Sequence, residues 1–100
     1  MDDLHRRVLR DLYDYLTKNL QLRELLTQLR VDDTITEDMH EQILAETTNL
    51  DKNVKFLRCI QTRGPTAFEN FIAALKDSKQ GHIAEKLQER LALLRQPMRE

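Results

Sequence analysis

The sequence predicts an all-α domain in which six helices of modest length form one bundle. The chain has 100 residues, of which 40% are hydrophobic and 33% are charged, and it has only two glycines and two prolines. This composition favours helices joined by short turns, and 100 residues are enough for one core but not for two. The apolar residues recur at helical spacing, so each helix is apolar on one side only. Such helices must bury their apolar sides against one another, which gives a bundle.

The first predicted helix covers residues 3–19, and the second follows it almost at once. The first helix has an apolar residue at every fourth position: Leu4, Val8, Leu12, Leu16 and Leu20. A second apolar series begins immediately afterwards: Leu22, Leu25, Leu26 and Leu29. Because no linker separates the two series, residues 19–21 are predicted to form a tight turn.

Two further helices are predicted from their N-terminal capping residues. Thr36 is a suitable N-cap for the third helix because two acids follow it, where the helix dipole favours negative charge. A capping box that begins at Thr34 is the alternative start. The apolar side of this helix is predicted to be Met39, Ile43 and Leu44. Asn49 or a neighbouring threonine is predicted to cap the fourth helix, with an inner face of Leu50, Val54, Leu57 and Ile60.

The dipeptide Gly64–Pro65 predicts the boundary between the fourth and fifth helices. Glycine enters the left-handed backbone region without a steric cost, so Gly64 is predicted to be the residue that ends the fourth helix. Pro65 is predicted to lie in the first turn of the fifth helix, where no backbone N–H is needed. The apolar face that follows is Phe68, Phe71, Ile72 and Leu75, and the residues predicted to permit close packing are Ala67, Ala73 and Ala74.

The sixth helix is predicted after a break at residues 78–81. Its apolar residues are Ile83, Leu87, Leu91 and Leu94, and Pro97 is predicted to end it. The domain is therefore expected to cover residues 1–95, and residues 96–100 are expected to begin a linker or tail.

Catalysis, metal binding and cofactor binding are not expected. Cys59 could act with a histidine as nucleophile and base, but its place on an apolar helix favours packing as a small hydrophobe. The histidines His5, His40 and His82 are far apart and lack metal-ligand spacing. A single cysteine favours a reducing compartment, the cytoplasm or also the nucleus. The longest apolar stretches are too short to cross a membrane.

The charges are strongly separated in the middle of the chain, although the formal net charge is only −1. Residues 31–51 contain seven acids and no lysine or arginine, whereas residues 52–63 contain four bases and no acid. Three interpretations are open: ordinary solvated faces, a small helical nucleic-acid-binding domain, and protein–protein recognition through charge. The adjacent acids would repel a nucleic-acid backbone, and complementary charge is effective in selecting protein partners. We therefore favour a protein-interaction domain.

Several segments resemble caspase recruitment domains. RGPTAFENFIAAL at residues 63–75 is similar to the family pattern RGP-x-AF-x-x-F-x-x-AL, and SKQGHIAEKL at 78–87 is similar to the segment that follows it. The start of the chain, MDD…RRVLR, and TTNLDKNVKFL at 47–57 resemble the same group. The likeness is greatest to the prodomains of initiator caspases and to the RAIDD adaptor.

The resemblance implies a death fold, which is an antiparallel Greek-key bundle of six helices whose first helix is often kinked. It also implies non-catalytic, homotypic binding that gathers initiator caspases or their adaptors into oligomers in apoptotic signalling. In the family, a basic surface on the first and fourth helices meets an acidic surface on the second and third. The corresponding bases are Arg7, Arg10, Lys52, Lys55, Arg58 and Arg63. The corresponding acids are Asp32, Asp33, Glu37, Asp38 and Glu41.

The resemblance leaves the partner open. The chain has Asp11 and Tyr13 where the caspase prodomains of the apoptosome have arginines, so the helix-one surface carries less positive charge. Arg63, next to Gly64, is either part of the basic surface or only satisfies C-terminal carbonyls of a helix. The expected partners are other caspase recruitment domains, with self-association into helical oligomers and without nucleic acid or membrane. A prodomain is slightly favoured over an adaptor, and a scaffold of an inflammatory or NF-kappaB-type pathway is the alternative.

Overall fold

The computed structural model describes residues 1–96 and contains seven helical segments in that range. They are α1 (Asp3–Asp11), α2 (Tyr13–Asn19), α3 (Leu22–Val31), α4 (Glu37–Leu44), α5 (Asn49–Ile60), α6 (Ala67–Asp77) and α7 (Gly81–Arg95). The predicted all-α class is confirmed, and no strand occurs between residues 1 and 96. The predicted end of the last helix at Pro97 lies outside the described residues, in which α7 ends at Arg95.

The prediction of a helix over residues 3–19 was wrong in one respect: the helix has the kink that the family resemblance implied, and it is interrupted at Leu12. This residue has φ −106° and ψ 15°, outside helical geometry, and it separates α1 from α2. The break lets α1 pack against α7 while α2 packs against α5. Val8 and Leu16, on either side, are both fully buried. The apolar spacing therefore continues across the break, which is why the pattern does not reveal it.

The predicted roles of Gly64 and Pro65 were also wrong. Helix α5 ends at Ile60, and Gly64 does not have a positive φ. The N–H of Ala67 donates to the carbonyl of Gly64 at 3.1 Å, which closes a four-residue turn. Pro65 is the second residue of that turn, a position that its fixed φ favours. It therefore precedes α6 instead of lying in its first turn.

The predicted N-caps were correct, and some predicted inner faces were not. The hydroxyl of Thr36 accepts from the N–H of Met39, and the hydroxyl of Thr48 accepts from the N–H of Asp51. Leu44 and Leu50, by contrast, are each 50% exposed. Val54 is only partly buried, and Ala73 is exposed. Leu44 and Leu50 lie at the two ends of the α4–α5 connection, where both line a cavity of about 690 Å³.

The core is built around α6, which packs against both α3 and α7. Phe71 of α6 and Phe56 of α5 are fully buried, and their rings meet edge to face with centroids 5.3 Å apart. Phe68 is also buried, and it stacks on the ring of His5 from α1. The Cα radius of gyration is 13.3 Å. A compact domain of this length has a value of about 13 Å.

Two buried amide side chains hold the corner between α2 and α3. Asn53 of α5 donates to the carbonyls of Thr17 and Leu20 at 2.8 and 3.2 Å. Gln80 accepts from the N–H of Gln21 at 2.9 Å and donates to its carbonyl at 2.9 Å. Because Asn53 and Gln80 are 3% and 4% exposed, these bonds satisfy backbone groups in the interior.

Candidate functional site

The predicted basic residues of α1 lie on its outer side. Arg7 and Arg10 are exposed, whereas the neighbouring Val8 and Leu9 are buried in the core. A spacing of three residues places two side chains next to each other on a helix. The two arginines therefore form one positively charged strip on α1.

The predicted basic residues of α5 form a second strip. Lys52 and Lys55 are partly buried and Arg58 is exposed, and each is three residues from the next. Lys52 and Arg58 are six positions apart, which is about 9 Å along a helix. Phe56, Leu57 and Ile60 are buried, so α5 is anchored by its opposite side.

A hydrogen bond links α1, next to its strip, to the end of α5. The guanidinium of Arg6 in α1 donates to the carbonyl of Gln61, just after α5, at 3.3 Å. Tyr13 at the start of α2 lines a shallow cavity of about 180 Å³ with Val54, Arg58 and Gln61. We call the residues Arg7, Arg10, Lys52, Lys55 and Arg58 the basic surface.

Arg63 is placed differently from the other predicted bases. Its Nε donates to the backbone carbonyl of Thr34 at 2.7 Å, and Arg63 is partly buried. It lines a small cavity of about 100 Å³ together with Asp32 and Asp33. Its guanidinium is therefore held against the loop that carries two of the predicted acids. The backbone N–H of Arg63, by contrast, donates to the carbonyl of Ile60 at the end of α5, at 3.1 Å.

All five predicted acids are exposed, and they lie on α4 and the loop before it. We call Asp32, Asp33, Glu37, Asp38 and Glu41 the acidic surface. Glu37 and Asp38 occupy the first turn of α4, where the positive end of the helix dipole stabilises them. Asp32 is the C-cap of α3. Asp33 has φ 57°, a left-handed conformation that aspartate tolerates better than most residues.

The loop of the acidic surface is tied to the core by Thr34. Its side chain is 5% exposed, and its hydroxyl accepts from the amide of Asn70 in α6 at 2.9 Å. Its carbonyl accepts from Arg63, as described above, and its N–H donates to the carbonyl of Leu29 at 2.9 Å. These bonds fix the backbone on which Asp32 and Asp33 are displayed.

The charges of both surfaces form no ion pair among residues 1–96. Four ion pairs occur among residues 1–96, and none involves a residue of the basic or the acidic surface. The charges that do pair internally lie elsewhere; Asp11 and Arg90, for example, join α1 to α7 at 3.0 Å. The sequence pattern of separated charge is therefore retained on the folded domain.

The cysteine and the three histidines, which were considered for catalysis and metal binding, have structural roles or lie at the surface. Cys59 is buried, and burial raises the pKa of its thiol, although Lys55 and Arg58 oppose this shift. His5 is buried against Phe68, and the side chain of His40 is 3.1 Å from Arg30. His82 is exposed in the first turn of α7. Residues 1–96 contain no cluster of His, Cys, Asp and Glu that could hold a metal ion.

Three residues near the charged surfaces were not among the predicted site residues. Arg6 lies next to the basic strip of α1 and reaches the end of α5. Arg23 of α3 lines a cavity of about 690 Å³ that Lys52 also lines. Tyr13 is 43% exposed beside Arg58. Arg6 is adjacent to Arg7 and could have been included from the sequence, whereas Arg23 and Tyr13 belong to other helices, which sequence spacing does not bring together.

Comparison with known proteins gives the family. The family model of the caspase recruitment domain matches residues 3–90. Caspase-2 of Gallus gallus is 37% identical over 87 residues, which are 87% of this chain and 20% of that protein. The chain thus spans about a fifth of the length of this curated relative. No helix among residues 1–96 is long and apolar enough to cross a membrane. The chain belongs to the caspase recruitment domain family, whose members are non-catalytic protein-interaction domains.

Proposed function

We propose that this domain gathers an initiator caspase, or an adaptor of one, into oligomers by binding other caspase recruitment domains. The basic surface of one domain would contact the acidic surface of the next. The observation that carries the proposal is that both surfaces consist of charges without an internal ion-pair partner among residues 1–96. Complementary charge accelerates encounter and rejects wrong partners more than it adds affinity.

The proposed setting is apoptotic signalling from the cytoplasm, with the domain as the prodomain of a caspase. The similarity to caspase-2 over most of this chain supports the prodomain over the adaptor. Because the two surfaces are different patches of one molecule, their contact is head-to-tail. Head-to-tail contacts build rings or open helical assemblies instead of closed two-fold dimers. Such an assembly would bring attached protease domains close together.

For Arg63 we propose a positioning role in the acidic surface. Its bond to the Thr34 carbonyl holds the loop of Asp32 and Asp33, and its positive charge lies beside these acids. An ordered loop loses less conformational entropy when a partner binds. Arg63 would therefore support binding through the acidic surface instead of contacting the acids of a partner.

The first test is light scattering of the purified domain across a salt series, alone and mixed with other recruitment domains. We expect a complex at low salt that weakens steadily as salt rises, because salt screens exposed charges. A domain that stays monomeric with every partner at every salt concentration would contradict the proposed function.

Charge reversal tests the basic surface directly. We expect Arg10→Glu or Lys55→Glu to abolish partner binding while the helical content and the melting temperature stay nearly unchanged. Arg10 is exposed and Lys55 is partly buried, and neither belongs to the core, so their replacement leaves no core cavity. The matched control is Lys76→Glu, a reversal at an exposed position of α6 outside both surfaces. A complex of unchanged affinity in Arg10→Glu would contradict the assignment of the basic surface.

A further inference from the structure

We propose that Tyr13 and Val31 form the apolar centre of a contact between two copies of this chain. Tyr13 would lie in the basic surface of one copy, and Val31 would lie beside the acidic surface of the other. The inference rests on the proposed function and deepens it, because it names the residues that add affinity to the charge pairing.

Tyr13 is exposed beside Arg58, a residue of the basic surface. It is the first residue of α2, directly after the break at Leu12, and 43% of its surface is exposed. It lines the shallow cavity with Val54 and Arg58, so its ring lies beside a base of the basic surface and an apolar side chain. The break turns α2 toward α5 and thereby brings the ring to this position.

Val31 gives the acidic surface a matching apolar group. It is the last residue of α3, directly before Asp32, and it is 73% exposed. No other large hydrophobic residue between 1 and 96 is as exposed. Valine is not a strong helix former, so helix propensity does not explain its presence at an exposed helix end.

Ion pairs alone do not account for a stable contact. A single exposed pair contributes only about 0–1 kcal/mol, and salt weakens it further. Measured binding energy is concentrated in a few aromatic residues and arginines at the centre of an interface, with polar groups around them. Tyr13 beside Arg58 has this composition. The acids around Val31 supply the complementary charge, which is why we assign the partner as a second copy.

The experiment isolates one contact by using two complementary copies of the full chain. Copy A carries Asp38→Asn and Glu41→Gln, which weaken its acidic surface and leave its basic surface intact. Copy B carries Arg10→Gln and Lys55→Gln, which do the reverse. Charge reversals would make the two altered surfaces complementary to each other, and neutral substitutions avoid this second contact. Neither copy should oligomerise alone, and calorimetry of their mixture measures a single head-to-tail contact.

Tyr13→Ala in copy A is expected to lower the affinity between the two copies at least about fivefold. A loss of this size marks an energetically important interface residue. Val31→Ala in copy B is expected to lower this affinity about fourfold for each methyl group that the contact buries. The two changes together should weaken binding by less than the product of the single effects, because the residues contact each other. Tyr13→Phe should bind nearly as well as the parent.

The salt dependence separates the apolar centre from the ion pairs. Tyr13→Ala should weaken the contact equally at low and high salt, whereas Arg58→Gln should reduce the dependence on salt. The matched control is Leu93→Ala in copy A, because Leu93 is 57% exposed on α7, outside both surfaces. Circular dichroism checks folding, and Tyr13→Gln replaces Tyr13→Ala if the latter does not fold.

Each outcome decides the inference. If copies A and B associate but Tyr13→Ala binds like the parent, the apolar centre is overturned and the proposed charge pairing stands. Additive effects of the Tyr13 and Val31 changes would overturn their direct contact. If the two parent copies do not associate at low salt, the charge pairing between copies fails and the apolar centre fails with it.

Discussion

Single buried polar side chains determine where the chain turns. Asn53 occupies a position on α5 where an apolar residue would be expected, and it satisfies two carbonyls at the end of α2. Buried carbonyls without hydrogen-bond partners destabilise the folded state, which explains why an amide side chain occupies position 53. An amphipathic pattern predicts that α5 is a helix, but it does not predict which polar residue faces inward.

Replacing Asn53 tests whether its two hydrogen bonds stabilise the fold. Asn53→Leu keeps a side chain of similar size but leaves the carbonyls of Thr17 and Leu20 without these donors. We expect the free energy of unfolding to fall by about 1–3 kcal/mol. Urea denaturation measures the loss, and Asn49→Ala at an exposed position of the same helix is the control. Equal stability of Asn53→Leu and the parent would show that the bonds contribute nothing net.

Burial also sets the chemistry of Cys59. Its thiol pKa is raised in the folded state, so the neutral thiol is favoured there and the thiolate is favoured on unfolding. The contribution to stability is complete below the unfolded pKa and is lost as pH rises through the folded pKa. We expect iodoacetamide to react slowly with native protein at mildly alkaline pH and rapidly in urea, as followed by mass spectrometry. Equal rates in both states would contradict the buried, neutral thiol.

At the scale of helices, starts were easier to predict than ends. Thr36 and Thr48 cap α4 and α5 through bonds to residues three positions later, and such local chemistry is visible in sequence. The left-handed residues are Asp33 and Lys79 instead of a glycine. Each of them lies in a local motif that ends a helix: for example, the N–H of Gln80 donates to the carbonyl of Leu75, five residues earlier, at 2.7 Å.

The glycine at the α5–α6 boundary gives an element-scale prediction. Gly64 has no positive φ, and a Cβ added to it would meet no atom within 4 Å. We expect Gly64→Ala to raise the free energy of unfolding by about 0.4–1 kcal/mol, because alanine reduces the freedom of the unfolded chain. Thermal denaturation measures the gain. Lys79→Gly, which relieves a φ of 65°, should also stabilise.

A loss of stability in Gly64→Ala would contradict this prediction. A destabilised Gly64→Ala protein would indicate a left-handed residue, as the sequence alone suggested. Lys79→Ala is the contrast, because it keeps a Cβ in the left-handed conformation and should bring no comparable gain.

The molecule as a whole depends on its aromatic core, of which the sequence predicted Phe68 and Phe71 but not Phe56. Phe71 is fully buried and meets Phe56 across the interface of α6 and α5. We expect Phe71→Ala to lower the free energy of unfolding by about 3–5 kcal/mol. Domains of this kind are stable by only about 5–15 kcal/mol, so the variant should be close to unfolding. Urea denaturation measures the change, with Leu93→Ala as an exposed control; wild-type stability would exclude Phe71 from the core.

The sequence predicted which residues carry the separated charges, but it did not predict how the fold positions them. The separation of acids from bases along the chain is visible in the sequence, and it places Asp38 and Lys55 on different helices. The contact that carries Arg63 to Thr34 joins residues 29 positions apart, and no local pattern encodes it. The apolar spacing does not reveal the break at Leu12 that positions Tyr13, because both sides of the break face one core, and only the family resemblance indicated it.

The ties between the two ends of the chain determine when the domain becomes functional during its synthesis. Arg90 holds Asp11 across 79 positions, and Gln80 holds Gln21 across 59. Arg7 and Arg10 leave the ribosome early, but the helix that carries them packs against α7, which is made last. Contacts between distant residues form slowly, and domains generally fold as units. A nascent chain therefore cannot present its finished basic surface, and assembly begins only after translation of the domain is complete.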